Sequence, residues 1–189
     1  GMPPLPYFMM WSLPMAATLA DRLAAYAAVA AQLGVDAIAL VPGPNFTRAV
    51  DHAFMSHERP FLLVIPANGP AAALVPNLEL GSWDLVGFDG AVFDWRDQDG
   101  YARAFDDLMR HLSISSVAVE GQVMRVFVHH AMLAAQPDLK IVDAEREISA
   151  LRMIKTADDL SALQRAIDIS ERALTRTLAT VRLGQTEKQ

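Results

Sequence analysis

The richest set of reactive side chains lies between residues 45 and 59, in a segment flanked by two apolar stretches. An arginine guanidinium matches the two oxygens of a carboxylate, and a histidine changes charge near neutral pH. Loops held between rigid strands often carry binding residues. We therefore predict a substrate-binding loop, with candidate residues Asn45, Arg48, His52, His57 and Arg59.

A purely structural role is the alternative for this segment. Arg59 would then pair with Asp51 or Glu58 on a solvated surface, where ion pairs contribute little. Asn45 would stabilise its own turn.

The other reactive residues do not predict a metal centre. A zinc or manganese hydrolase needs several histidine and carboxylate ligands that converge on one point. His129 and His130 are adjacent on a predicted helix, so they diverge by about 100° and cannot both ligate one ion. Asp94, Asp97 and Asp99 lack the closing glutamate of a calcium loop. We interpret Asp97 and Asp99 as capping residues of the helix that follows.

Composition excludes several classes of protein. The chain has 189 residues, 52% of them hydrophobic, with a net charge of −6 and no cysteine. This length can bury one substantial core, the charge argues against a nucleic-acid surface, and disulfides and thiol catalysis are excluded. No apolar run is long enough to span a membrane, and the proline-broken start at residues 1–6 predicts no signal peptide. We expect a cytoplasmic protein that binds neither nucleic acid nor membrane.

Apolar patterning predicts alternating helices and strands, which indicates an α/β fold. A capping box at Thr18 and Asp21 begins the first helix, and Gly34 ends it. Two apolar runs separated by a turn cluster predict an antiparallel hairpin over residues 61–75. We expect a mixed, twisted sheet of five or six strands with helices on both faces. The strands are predicted at residues 35–41, 61–65, 71–75, 90–93, 115–119 and 140–142, and the later helices at 101–111 and 123–135.

The last part of the chain predicts a long amphipathic helix. Thr156 and Asp159 have the spacing of a capping box, and Gly184 is a plausible stop. Apolar residues recur on one helical face at Leu160, Leu163, Ile167, Leu174, Leu178 and Val181.

These features together resemble the N-terminal, creatinase/prolidase-type domain of the pita-bread metallopeptidases, which include Xaa-Pro dipeptidases and aminopeptidases. The joint between the two halves of that family is matched by Arg152, residues 154–156, Asp158, Asp159, Ala166, Ala173 and the Gly-x-Thr-Glu motif at 184–187. Upstream, the family pattern is matched in order at residues 34–40, 43–46, 59–66, 119–121 and 139–143.

The resemblance implies a three-layer α/β/α, ribonuclease H-like domain over residues 12–155 and a linker helix over 156–189. A catalytic domain would follow Gln189 and hold a dinuclear Mn, Co or Zn centre; none of its five metal ligands matches a residue of this chain. The implied partners are that catalytic domain, a second copy in a homodimer, and a proline-containing peptide or another small amide as substrate. The domain itself would be non-catalytic and would serve dimer contact and substrate-pocket shaping.

The same resemblance makes His57 and Arg59 the best candidates for substrate contact. Creatinase has an aromatic residue and an arginine at these places, and His57 departs from that pattern. Two alternatives therefore stay open: a creatinase-like hydrolase that is not a peptidase, and a binding module that lacks the metal ligands, like the histone-chaperone relatives.

Overall fold

Six β-strands form one mixed sheet in the computed structural model of the chain, which describes residues 17–55 and 57–186. The strands are β1 (Ala37–Leu40), β2 (Leu62–Pro66), β3 (Ala72–Pro76), β4 (Ala91–Trp95), β5 (Ser116–Val119) and β6 (Lys140–Asp143), and their order is β4-β3-β2-β1-β5-β6. Strand β2 pairs antiparallel with β1 and β3, whereas β3 with β4, β1 with β5, and β5 with β6 are parallel. The predicted hairpin is confirmed by the β2–β3 pairing.

Helices cover both faces of this sheet. One face, including Ile38 and Leu40, packs against α1 (Leu19–Leu33), α2 (Pro44–Val50) and α6 (Glu145–Met153). The other face, including Ala37 and Ala39, packs against α4 (Ala102–Leu112) and α5 (Val126–Ala135). Successive strand residues point to opposite faces, so the all-apolar β1 contributes to both cores. The predicted three-layer α/β/α fold with a mixed sheet is confirmed.

The capping signals of α1 are also confirmed. The Thr18 hydroxyl accepts from the Asp21 backbone, and the Asp21 carboxylate accepts from the Thr18 backbone. Gly34 ends the helix in the left-handed conformation, with a φ of 67°.

Several local predictions were wrong. Residues 44–50 form α2, which begins with Pro44 at its first turn, where a proline lacks only a hydrogen bond that is missing anyway. Sequence reasoning also missed α6 and the short helix α3 (Leu80–Trp83). Helix α4 begins at Ala102, and its N-cap residue is Tyr101, without a side-chain cap, so Asp97 and Asp99 do not cap it.

Residues 17–153 form one compact unit, and residues 154–186 belong to another. In the latter, α7 (Ala157–Thr180) begins with the predicted reciprocal bonds between Thr156 and Asp159. It ends at Thr180, before the predicted stop at Gly184, and its apolar stripe is exposed.

None of the helices in the described residues is both long and apolar enough to cross a membrane. The predictions for residues 1–16, which concern a signal peptide and the domain start at residue 12, and for Glu187 lie outside the described residues.

Candidate functional site

The carboxyl ends of β1, β3, β4, β5 and β6 meet at one edge of the sheet, because only β2 runs in the opposite direction. We call this the carboxyl edge. The segment that enters β2 lies at the same edge, and it carries His57 and Arg59. Ligands of open α/β sheets bind outside the carboxyl ends of the strands. The topology therefore places the segment with His57 and Arg59 at this edge, and their contact with a substrate stays a prediction.

The Arg59 guanidinium is held by two carboxylates. Its Nε donates to both oxygens of Asp97, at 3.0 and 3.2 Å, and Nη2 donates to Asp97 Oδ2 at 2.7 Å. Its Nη1 donates to Glu58 Oε1 at 2.7 Å. The hydrogen bonds from Arg59 hold the pKa of Asp97 below its usual value. A substrate carboxylate therefore meets a guanidinium that already donates from Nε and Nη2 to Asp97 and from Nη1 to Glu58.

Aromatic anchors fix the segment that carries Arg59. Phe54 and Phe61 lie at its two ends and pack edge-on, with ring centroids 5.0 Å apart. The buried Trp95 indole donates from Nε1 to Pro60 O at 3.1 Å. A cleft of about 260 Å³ opens beside Arg59, with Asn77 and Asp97 in its lining. The site is therefore a partly solvated cleft built on a rigid strand end.

The remaining candidate residues lie apart from this cleft lining. His57 is exposed, and His52 is half-buried with its ring centroid 4.8 Å from that of Phe54. Arg48 is half-buried on α2 rather than on a loop. Their substrate-binding roles stay predictions.

Asn45 is fully buried at the start of α2, close to the end of β1. Its Nδ2 donates to Glu120 Oε1 at 2.6 Å and to Ser149 Oγ at 3.3 Å. The Tyr26 hydroxyl donates to the Asn45 backbone oxygen at 2.9 Å. Asn45 thus joins α1, β5 and α6 beneath the carboxyl edge. These contacts give it a structural role, and its predicted substrate contact stays a prediction.

Glu120 belongs to the family pattern at residues 119–121, but it was not among the predicted site residues. It is 2% exposed, and Oε2 lacks a hydrogen-bond partner within the described part of the chain. Burial raises its pKa above the usual value, while the hydrogen bond from Asn45 opposes this shift. Burial likewise raises the pKa of Tyr26. An acid directly after an apolar strand was the available sequence signal, but its partner Asn45 is 75 residues away in the chain.

Glu120→Gln is expected to gain stability relative to the wild type as the pH rises. Folding raises the pKa of Glu120, so the protonated side chain contributes its full stability below the pKa of the unfolded chain, near 4.5. This contribution is lost as the pH rises through the pKa of the folded protein. Glutamine does not titrate, so the difference in unfolding free energy should grow in favour of the variant from about pH 4 to neutral pH. Urea unfolding at several pH values measures it. The exposed Glu147→Gln is the control, and an equal, pH-independent difference for both variants would contradict the assignment.

The described residues do not fit a dinuclear metal centre. Within residues 17–55 and 57–186, no three histidine or carboxylate side chains group closely enough to hold a metal ion. Any such centre would need ligands from elsewhere, and no chemical step is assigned to a metal in this chain.

The three-layer fold and the mixed sheet define an α/β domain of the kind that the sequence resemblance implies. The sequence profile of the Creatinase/Prolidase N-terminal domain matches residues 22–154, more than half of the chain. The chain therefore belongs to that family, and the resemblance noted from the sequence is confirmed.

Solved structures share the fold. The prolidase of Thermococcus sibiricus has a TM-score of 0.78 and 22% identity, over 93% of this chain and 47% of that one. The dipeptidase PepE of Mycobacterium ulcerans has a TM-score of 0.74 and 28% identity, over 91% of this chain and 46% of that one. The separate N-terminal domain of an X-Pro dipeptidase from Streptococcus pyogenes has a TM-score of 0.61 and 14% identity, over 68% of this chain and 97% of that one.

Curated relatives are peptidases by name. The probable dipeptidase PepE of Mycobacterium tuberculosis is 26% identical over 171 residues, which are 89% of this chain and 45% of the relative. An uncharacterised peptidase of Staphylococcus saprophyticus is 23% identical over 133 residues, which are 70% of this chain and 37% of the relative. The chain thus spans less than half the length of these relatives.

Proposed function

We propose that this chain is the N-terminal, non-catalytic half of a metal-dependent peptidase that cleaves Xaa-Pro dipeptides or related peptides. The observation that carries the proposal is the match to the structure of the dipeptidase PepE from Mycobacterium ulcerans, which covers 91% of this chain at 28% identity. In this proposal, residues 156–189 lead into a catalytic domain that supplies the ligands of a dinuclear Mn, Co or Zn centre.

The carboxyl edge is the part of the domain proposed to shape the substrate pocket. The cleft beside Arg59 offers a cation at the end of rigid strands, which suits recognition of a substrate carboxylate. His57 lies two residues away on the same segment, with its side chain exposed. We further propose that the domain contributes to a homodimer, as the resemblance implies.

The test compares the full-length protein with residues 1–189 alone. The full-length protein should hydrolyse Ala-Pro faster than Ala-Ala, lose activity on chelation, and regain it with Mn, Co or Zn. Residues 1–189 should show no turnover above buffer and no stoichiometric metal binding by calorimetry.

The other outcomes separate the alternatives. Hydrolysis of creatine without hydrolysis of Ala-Pro would replace the peptidase with a creatinase-like enzyme. A full-length protein that binds no metal and hydrolyses neither compound would be a binding module, and the proposal would be wrong.

A further inference from the structure

We propose that Asp97 is a positioning residue, which holds the Arg59 guanidinium in the orientation that contacts a substrate carboxylate. This inference rests on the proposed function and adds a residue on a different strand to the substrate site. Asp97 was interpreted from the sequence as a helix cap, and the structure assigns it to Arg59 instead.

The contact between Asp97 and Arg59 fixes the plane of the guanidinium as well as its distance from the carboxylate. Asp97 engages both Nε and Nη2 of Arg59, so its carboxylate lies side-on to the guanidinium. A bidentate pair of this kind restricts rotation about the last bonds of the arginine side chain, as a single contact does not.

Asp97 follows the end of strand β4, which is held rigidly in the sheet. Trp95 is the last residue of β4 and pairs in register with Pro76 of β3. Its indole is bonded to Pro60 O, next to Arg59, and Asp97 follows two residues later. One strand end therefore holds both the backbone and the side chain of the arginine segment.

Glu58 does not meet the same requirement. It contacts only Nη1, and its side chain is 70% exposed. It also precedes Arg59 directly in the chain, so it moves with the arginine. Of the two carboxylates described on Arg59, Asp97 is the one that ties it to the end of β4.

The expected effect is on substrate use rather than on folding. Exposed ion pairs contribute little to stability, whereas misplacing a substrate-binding group weakens recognition markedly. In the full-length protein, Asp97→Ala should lower kcat/KM for Ala-Pro roughly tenfold, mainly by raising KM. The control is Asp99→Ala, an exposed acid on the same turn, which should leave both constants unchanged.

A double-mutant cycle tests whether Asp97 acts through Arg59. The double variant Arg59→Ala with Asp97→Ala should be no less active than Arg59→Ala alone. A separate readout is the Arg59 Nε–H resonance of the ¹⁵N-labelled chain, which should be protected from exchange in the wild type and in Asp99→Ala but not in Asp97→Ala.

The outcomes distinguish this inference from the proposed function. If Arg59→Ala loses activity while Asp97→Ala keeps or increases kcat/KM, the positioning role is overturned and Asp97 is at most a competitor of the substrate. If Arg59→Ala is fully active, or the full-length protein does not use Ala-Pro, the proposed substrate role fails and this inference fails with it. Equal losses from Asp97→Ala and Asp99→Ala would also overturn it.

Discussion

Asn45→Asp should be among the most destabilising single substitutions in the domain, lowering the free energy of unfolding by roughly 3–5 kcal/mol at neutral pH. The Asn45 amide donates to Glu120 at 2.6 Å, and both residues are buried. Aspartate would remove this donor and place a second carboxyl group against Glu120. Two carboxyl groups in such a site cannot both ionise, so one must bind a proton. Urea unfolding followed by the fluorescence of the buried Trp83 and Trp95 measures the loss.

The matched control and the pH dependence identify the cause. Asn68 is exposed on the β2–β3 turn, so Asn68→Asp makes the same chemical change away from the cluster and should be nearly neutral. The folded Asn45→Asp variant holds a proton that the unfolded chain releases. Its deficit should therefore shrink as the pH falls towards about 4. A deficit that matches the control, or that does not change with pH, would mean that the cluster does not stabilise the fold.

The architecture was predictable because its signals are local. The capping boxes at Thr18 and Thr156 involve residues three apart in the chain, and the hairpin follows from two apolar runs around one turn. Alternation of helices and strands then restricts the fold to a layered α/β arrangement.

The errors share a different cause, which is tertiary context. The turn residues before α2 were taken to begin a long loop, but Phe46 and Val50 pack into the core and stabilise a helix there. Helix α6 was missed because its apolar pattern is short: Ile148 is its buried residue, and Leu151 packs partly buried beside the same core. Local propensity is a weak guide where packing decides.

In the candidate site, too, a single residue was predictable from the sequence, but its long-range partners were not. Arg59 was predicted from its residue type and from the family resemblance, and the structure places it beside a cleft. Its partner Asp97 lies 38 residues away, and Glu120 lies 75 residues from Asn45. Pairings over such distances depend on strand order, which one sequence does not specify.

Arg59→Ala in the full-length protein should lower kcat/KM for Ala-Pro roughly ten- to a hundredfold while metal content and melting temperature stay near those of the wild type. A charged hydrogen bond to a substrate carboxylate is strong, whereas the bonds to Asp97 and Glu58 lie on a partly solvated surface and stabilise the fold little. Steady-state kinetics beside a melting curve separates the two contributions. The matched control is Arg103→Ala, because Arg103 is also paired with an aspartate but lies on α4 with its side chain fully exposed to solvent.

His57→Ala should show a smaller loss of kcat/KM than Arg59→Ala, because the exposed imidazole lacks the two-pronged geometry with which a guanidinium matches a carboxylate.

Ala-Pro amide provides the deciding test of the contact between Arg59 and the substrate, since it lacks the terminal carboxylate. If Arg59 binds that group, the amide should be a poor ligand of the wild type, and its inhibition constant should change little in Arg59→Ala. Equal losses for acid and amide would show that Arg59 shapes the pocket without contacting the carboxylate. Unchanged kcat/KM in both His57→Ala and Arg59→Ala would mean that this segment does not contact the substrate. A fall in melting temperature would mean that its side chains stabilise the fold instead.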